Sequence, residues 1–186
     1  RQADAALESA KKQKSNYCQV YRSDMPLAFS DQITMETWLR YGLERQEFEV
    51  YYQPQLNLHS GRVEGSEALI RWRHPEHGYI SPAKFVPLAE ETGLIVDIGQ
   101  WVLETACMQA KRWLMQNWGM KYVSINLSSV QFNQKNLIDC IKNTLASTGL
   151  APHNLELEVT ETALMLDAES AIEILGELKA LGIRIA

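Results

Sequence analysis

The chain has 186 residues, of which 46% are hydrophobic and 22% are charged. This balance is ordinary for a globular protein, and the length allows one domain or slightly more. The net charge of -5 argues against a broad surface for a nucleic-acid polymer, because phosphate backbones require clustered Lys and Arg. It remains compatible with a small anionic ligand that is held by one or two arginines.

The cysteines Cys18, Cys107 and Cys140 are few, odd in number and far apart. We therefore expect neither a disulfide framework nor a zinc site. Reduced thiols are typical of the cytoplasm, which is the location that we expect. No apolar segment approaches the ~20 residues that cross a bilayer, and no signal peptide is recognisable. The first residue is Arg1, so we expect a piece of a longer protein, which an upstream region could anchor to a membrane.

The beginning of the chain predicts the end of one unit followed by a linker. Residues 1–14 favour an amphipathic helix, and a short strand-like run follows at 17–21. Residues 23–30 contain turn formers and a proline, so we predict a linker there. A new helix is expected with Ser30 as its N-cap and with apolar residues that extend to Leu43.

From residue 48 onward the pattern predicts alternating strands and helices. Strands are predicted at 48–53, 62–72, 122–127, 155–159 and 183–186. Helices are predicted between Ser81 and Gly93, around 98–113, at 135–147 and from Asp167 to Leu181. The first two strands are joined by a short connection with a Ser-Gly turn. They should be antiparallel neighbours, because a parallel crossover needs a dozen or more residues.

This order of elements predicts an α/β fold with a mainly parallel sheet. An eight-stranded barrel takes ~250 residues, and this chain stops in its fifth predicted strand. An incomplete (β/α)₈ barrel therefore fits better than a finished open sheet, although periodicity alone leaves both open.

Three predicted strands direct oxygen-bearing side chains to one side. Because strand side chains alternate, Glu67, Leu69 and Arg71 share a side, and Asn126 and Glu158 lie on the polar side of the next two strands. Barrels keep their active sites near the carboxyl ends of strands, where these residues fall. The oxygen ligands suit Mg²⁺ or Mn²⁺, and the planar fork of Arg71 suits a phosphate. A solvent-facing sheet surface is the alternative, and the residues alone leave both open.

The segment EALIRW at 67–72 resembles the signature of the EAL domain family, and further blocks match that family in order. They are YYQPQLNL, SINLSSVQF and LELEVTET. One tripeptide would be weak evidence, whereas ordered blocks across residues 27–186 are specific. The resemblance implies a modified (β/α)₈ TIM-like barrel with one antiparallel strand, incomplete in this chain, over residues 31–186.

The resemblance also implies a phosphodiesterase that hydrolyses cyclic di-GMP to linear pGpG with Mg²⁺ or Mn²⁺. Carried over by motif, the metal ligands are Glu67, Asn126 and Glu158. The substrate-binding residues are Arg71 for a phosphate, Leu69 for the pocket wall and Gln53 for a guanine. Two bound metals would activate a water and stabilise the attacking and leaving oxygens.

The family continues after a segment such as KALGIRIA with an aspartate pair, a lysine, a glutamate and a glutamine. We therefore expect the general base outside this chain, and we do not expect the chain alone to turn over substrate. Residues 1–22 resemble, over a shorter match, the end of a GGDEF domain. That resemblance implies a tandem protein, in which we expect homodimerisation and an upstream sensory domain.

Two alternatives stay open. The first is a receptor that binds cyclic di-GMP without cleaving it, and the second is another metal-dependent barrel hydrolase. His74 and His77 could be read as a metal pair, but their link contains Pro75 and leads to Gly78. We therefore expect a turn there.

Overall fold

A computed structural model describes residues 28–165 and 167–186, with backbone only for 28–33 and 162. The predictions for residues 1–22 lie outside the described residues, as does most of the linker predicted at 23–30. Helix α1 (Ala28–Gly42) corrects the start predicted at Ser30. Since the two residues before Ser30 are already helical, its backbone cannot take the extended conformation of an N-cap.

The described elements after α1 alternate between strands and helices. In chain order they are β1 (Phe48–Asn57), β2 (Arg62–His74), β3 (Gly78–Ile80), α2 (Pro82–Thr92), α3 (Ile95–Met115), β4 (Tyr122–Leu127), α4 (Ser129–Phe132), α5 (Leu137–Thr148), a 3₁₀ turn (Pro152–Asn154), β5 (Leu155–Val159), α6 (Glu161–Met165), α7 (Ala168–Ala180) and β6 (Arg184–Ile185). None of these helices combines the length and the apolar composition needed to cross a bilayer.

All six described strands belong to one sheet with the order β1-β2-β4-β5-β6, and β3 pairs with β2. The β1–β2 pair is antiparallel, as the short connection predicted. The pairs β2–β4, β4–β5 and β5–β6 are parallel. The α/β fold with a mainly parallel sheet is therefore confirmed, and in the described residues the sheet is open, with β1 and β6 at its edges.

The core lies between one face of this sheet and the helices. Alternation in β2 buries Ala68 and Trp72, and the apolar residues of β4 and β5 are buried on the same side. Helix α2 begins after Ser81, whose backbone is extended, and ends at Gly93 with φ 76°. Glycine adopts positive φ without a Cβ penalty, which suits it to the position after a helix. Both predicted ends of this helix, Ser81 and Gly93, are therefore confirmed.

Besides the 3₁₀ turn, three short elements were not predicted. Strand β3 makes the sheet six-stranded rather than five-stranded, and its pairing of Trp72 with Ile80 depends on a tertiary contact that no local pattern contains. Helices α4 and α6 have four and five residues, fewer than hydrophobic periodicity can resolve. Helix α4 does carry a sequence signal, because Ser128 and Gln131 form a capping box at its start.

Candidate functional site

The predicted site residues lie together on the face of the sheet opposite the core, here named the polar face and defined by Gln53, Glu67, Asn126 and Glu158. Register explains their proximity, because Gln53 is the cross-strand partner of Glu67 and Asn126 is the partner of Glu158. Glu67 pairs with Ser124, which is two residues before Asn126. Paired residues project to the same face, so four strands contribute to one cluster.

Two of the predicted metal ligands are in direct contact. The side-chain amide of Asn126 donates a hydrogen bond from Nδ2 to Oε1 of Glu67 at 2.7 Å. Asn126 is exposed and Glu67 is half-buried, so the pair opens to solvent rather than into the core. The amide oxygen of Asn126 belongs to the same small region as the Glu67 carboxylate, as a shared ligand set requires.

The third predicted ligand, Glu158, is electrostatically coupled to the first. Its pKa is raised above the ordinary value, chiefly because burial removes solvation and secondly because Glu67 carries the same charge. Hydrogen bonds from Ser124 and Gln55 act in the opposite direction. Two carboxylates that repel one another on the polar face are a favourable environment for a divalent cation.

This donor set fits Mg²⁺ or Mn²⁺ in chemical type, because both ions prefer carboxylate and carbonyl oxygen. Among the described residues, no group of three or more His, Cys, Asp or Glu side chains is arranged to hold a metal ion. Glu67 and Glu158 supply two carboxylates, and Asn126 supplies a carbonyl oxygen that such a group does not include. The described residues can therefore supply part of a coordination shell.

Leu69 and Arg71 line a cavity of about 300 Å³ that also reaches Asn126, Ser128 and Thr160. Both residues project on the polar face, because side chains alternate along β2 and these two share the side of Glu67. The guanidinium of Arg71 donates from Nη1 to the carbonyl oxygen of Ile70 at 2.8 Å. A cation thus lies at the wall of a cavity that begins beside the carboxylate cluster, where an anionic ligand could bind.

One feature of the predicted placement requires correction. Asn126 and Glu158 do lie one residue before the ends of β4 and β5, but β2 continues well past Glu67, to His74. Glu67 instead lies near the end of the pairing between β2 and β4, which stops at Ala68. Beyond that point β2 pairs with β3 instead, and this pairing extends it.

Sequence reasoning did not predict the contacts among the polar residues beneath the cluster. Ser124 is fully buried and donates to Oε1 of Glu156 at 2.6 Å, and it also contacts Oε1 of Gln55 at 3.4 Å. Arg184 donates from Nε to Oε2 of Glu156 at 2.9 Å. The alternation of β1 already places Gln55 on the same side as Gln53, which was the available signal. Arg184 could not be assigned without the register between β5 and β6.

The turn predicted around His74 and His77 is confirmed. Residues 75–77 form the turn that joins β2 to β3, and the backbone N–H of Glu76 donates to Nδ1 of His74 at 3.2 Å. Both imidazole rings pack on Trp38, each with a centroid distance of 4.5 Å. His74 and His77 therefore pack with Trp38 of α1 as one aromatic group beside the turn between β2 and β3.

Comparisons with known proteins identify the family. The family model described as EAL domain matches residues 36–186. Two curated relatives from Pseudomonas aeruginosa are the bifunctional diguanylate cyclase/cyclic di-GMP phosphodiesterase MucR and the cyclic di-GMP phosphodiesterase NbdA. MucR is 43% identical over 185 residues, which are 99% of this chain and 27% of MucR. NbdA is 34% identical over 184 residues, which are 99% of this chain and 24% of NbdA.

A solved structure described as the PaMucR phosphodiesterase in complex with c-di-GMP is 44% identical, with a TM-score of 0.78. The match covers 82% of this chain and 62% of that one. The chain thus spans about a quarter of the length of the curated relatives it matches. With a family model that covers most of the sequence and relatives that match nearly all of it, the chain belongs to the EAL domain family.

Proposed function

We propose that this chain is part of a cyclic di-GMP phosphodiesterase, which hydrolyses cyclic di-GMP to linear pGpG. The observation that carries the proposal is the convergence of Glu67, Asn126 and Glu158 from three adjacent strands, beside the cavity that Arg71 lines. The relatives named as phosphodiesterases, and the relative solved with c-di-GMP, support the same reaction and ligand.

In this proposal Glu67, Asn126 and Glu158 hold Mg²⁺ or Mn²⁺, and the metal supplies Lewis acidity and an activated water when bound. Glu67 accepts the hydrogen bond that orients the Asn126 amide. The Asn126 side chain is exposed, so that its oxygen can turn to a ligand. The pKa of Glu158 is raised by lost solvation and then by the charge of Glu67, and a carboxylate must be deprotonated to coordinate, so acid should weaken metal binding.

The proposed substrate contacts come from β1 and β2. Arg71 binds a phosphate of the dinucleotide through charge-assisted hydrogen bonds, for which the guanidinium fork is suited. Leu69 forms part of the apolar wall of the same cavity. Gln53, which is exposed and adjacent to Glu67 in register, contacts a guanine through its amide.

The wider context is also part of the proposal. We place a GGDEF-like end at residues 1–22, a linker at 23–30 and the EAL domain from residue 31. The whole protein is proposed to be a cytoplasmic homodimer with an upstream sensory domain. The name of MucR gives it both diguanylate cyclase and cyclic di-GMP phosphodiesterase activity, which supports the tandem arrangement.

The test is turnover of cyclic di-GMP by the full-length protein that contains this chain, with Mg²⁺ and with Mn²⁺. We expect pGpG to form and Glu67→Ala to abolish its formation, while the variant keeps the thermal stability of the wild type. Lys135→Ala, which changes a charge outside the cluster, is the control and should retain activity. Tight binding of cyclic di-GMP without any pGpG would contradict the phosphodiesterase and favour the receptor.

A further inference from the structure

Two tyrosines lie beside Arg71 and have no role in the proposed reaction. Tyr51 on β1 and Tyr79 on β3 line a hollow of about 320 Å³ together with Arg71. Their side chains are 47% and 56% exposed. Two phenol rings from different strands therefore flank the cation that is proposed to bind phosphate.

The guanidinium of Arg71 lies over the ring of Tyr51. The distance from its Cζ to the ring centroid is 5.6 Å, which is within the ~6 Å range of a cation–π contact. The hydrogen bond from Nη1 to the carbonyl oxygen of Ile70 fixes the other side of the fork. Together the two contacts restrict a long side chain that would otherwise lose rotamer entropy when it binds a ligand.

Tyr51 is itself held by a chain of hydrogen bonds. Its hydroxyl is 2.8 Å from that of Tyr79, and the two rings meet edge to face at 6.3 Å. The Tyr79 hydroxyl donates to Oε2 of Glu49 at 3.1 Å. Since Tyr79 has one hydroxyl proton, Tyr51 is the donor in the bond between the tyrosines.

We propose that Tyr51, held by Tyr79 and Glu49, is a positioning residue that presents Arg71 to a phosphate of the dinucleotide. The inference rests on the proposed function, because it takes cyclic di-GMP as the ligand. Donation by Tyr51 makes its ring more electron-rich, which strengthens its attraction for the cation. Preorganisation of Arg71 precedes the chemical step, so it lowers KM rather than raising kcat.

The experiment uses the full-length protein with Mn²⁺ and cyclic di-GMP. Tyr51→Leu removes the ring and should raise KM roughly two- to fivefold with kcat unchanged, the size of an exposed cation–π contact. Tyr51→Phe keeps the ring and should recover most of that loss. The matched control is Tyr41→Leu, which removes the ring 5.3 Å from Cζ of Arg45, outside the hollow, and should leave KM unchanged.

A double-mutant cycle separates positioning from direct contact with the ligand. In an Arg71→Met background, Tyr51→Leu should cause no further loss of kcat/KM. An equal loss in both backgrounds, or a Tyr51→Phe variant as impaired as Tyr51→Leu, would overturn the proposal.

The same cycle is then measured on the Kd for cyclic di-GMP by calorimetry without divalent metal. If the wild type binds in this assay but forms no pGpG in the assay with Mn²⁺, the proposed hydrolysis fails, while coupling between positions 51 and 71 in Kd still supports the positioning role. A wild type that neither binds nor cleaves the dinucleotide overturns both proposals.

Discussion

Gly99→Ala should destabilise the protein, although alanine ordinarily stabilises a helix interior relative to glycine. Gly99 lies within α3, where α3 approaches α4 closely. A Cβ at this position would collide with Nε2 of Gln131 and lie 2.6 Å from its Cδ. Gln131 is buried, and its Oε1 accepts from the backbone N–H of Ser128 at 3.2 Å. The substitution therefore displaces the side chain that completes the capping box of α4.

Three contributions decide whether Gly99→Ala lowers or raises the free energy of unfolding. Overpacking a filled site costs about 1–3 kcal/mol, and loss of a helix cap costs about 1 kcal/mol. The helical preference of alanine over glycine offsets about 0.5–1 kcal/mol of this loss. We therefore expect Gly99→Ala to lower the free energy of unfolding by about 1–3 kcal/mol.

The matched control is Gly176→Ala in α7. A Cβ there meets no heavy atom within 4 Å, so this variant should be stabilised by about 0.5–1 kcal/mol. Urea unfolding of both variants, with m values compared, gives the two free energies. Stabilisation of similar size at Gly99 and Gly176 would refute the reasoning, because it would mean that Gln131 moves aside without cost. Since Asn126 is two residues before the Ser128 cap, Gly99→Ala should also reduce pGpG formation, whereas Gly176→Ala should not.

Two further predictions concern the charges of the polar face. Glu67→Gln removes a charge that, after lost solvation, raises the pKa of Glu158. A carboxyl group whose pKa is raised in the folded state contributes stability that is lost as the pH rises through that pKa. The metal-free Glu67→Gln variant should therefore lose less stability than the wild type as the pH rises above 4.5, the ordinary carboxyl pKa. Equal slopes of the urea midpoint against pH in the two proteins would contradict this. Arg184→Met removes the ion-pair partner of the buried Glu156 and should lower the free energy of unfolding by about 1–2 kcal/mol. The control is Arg40→Met, which breaks an exposed i,i+4 ion pair and should lower the free energy of unfolding by less than about 0.5 kcal/mol.

Strands β4 and β5 could be predicted from the sequence to the residue. Both have apolar residues at every second position, and a period of two is a strong local signal. The hairpin of β1 and β2 was also predictable, because its short connection excludes a parallel crossover. Its strands are longer than predicted, at Phe48–Asn57 and Arg62–His74, because pairing along the hairpin continues past the alternating segments.

The remaining features depend on contacts between elements. Strand β3 has three residues, and it forms because it pairs with the end of β2. The role inferred for Tyr79 follows from that pairing, since it places the phenol against Tyr51. Alternation along each strand could assign Glu67, Asn126 and Glu158 to the polar sides of their strands. The hydrogen bond between Glu67 and Asn126 could not be predicted in this way, because it depends on the register between β2 and β4.

The charges of the polar face form two levels with different consequences. At the lower level the buried Glu156 is neutralised by Arg184 and hydrogen-bonded by Ser124, so the network satisfies itself and serves the fold. At the upper level lost solvation, and after it the charge of Glu67, raises the pKa of Glu158, so the two carboxylates repel one another. Such repulsion costs stability unless a cation binds between them. Substitutions at the lower level should therefore change stability more than turnover, and those at the upper level should do the reverse.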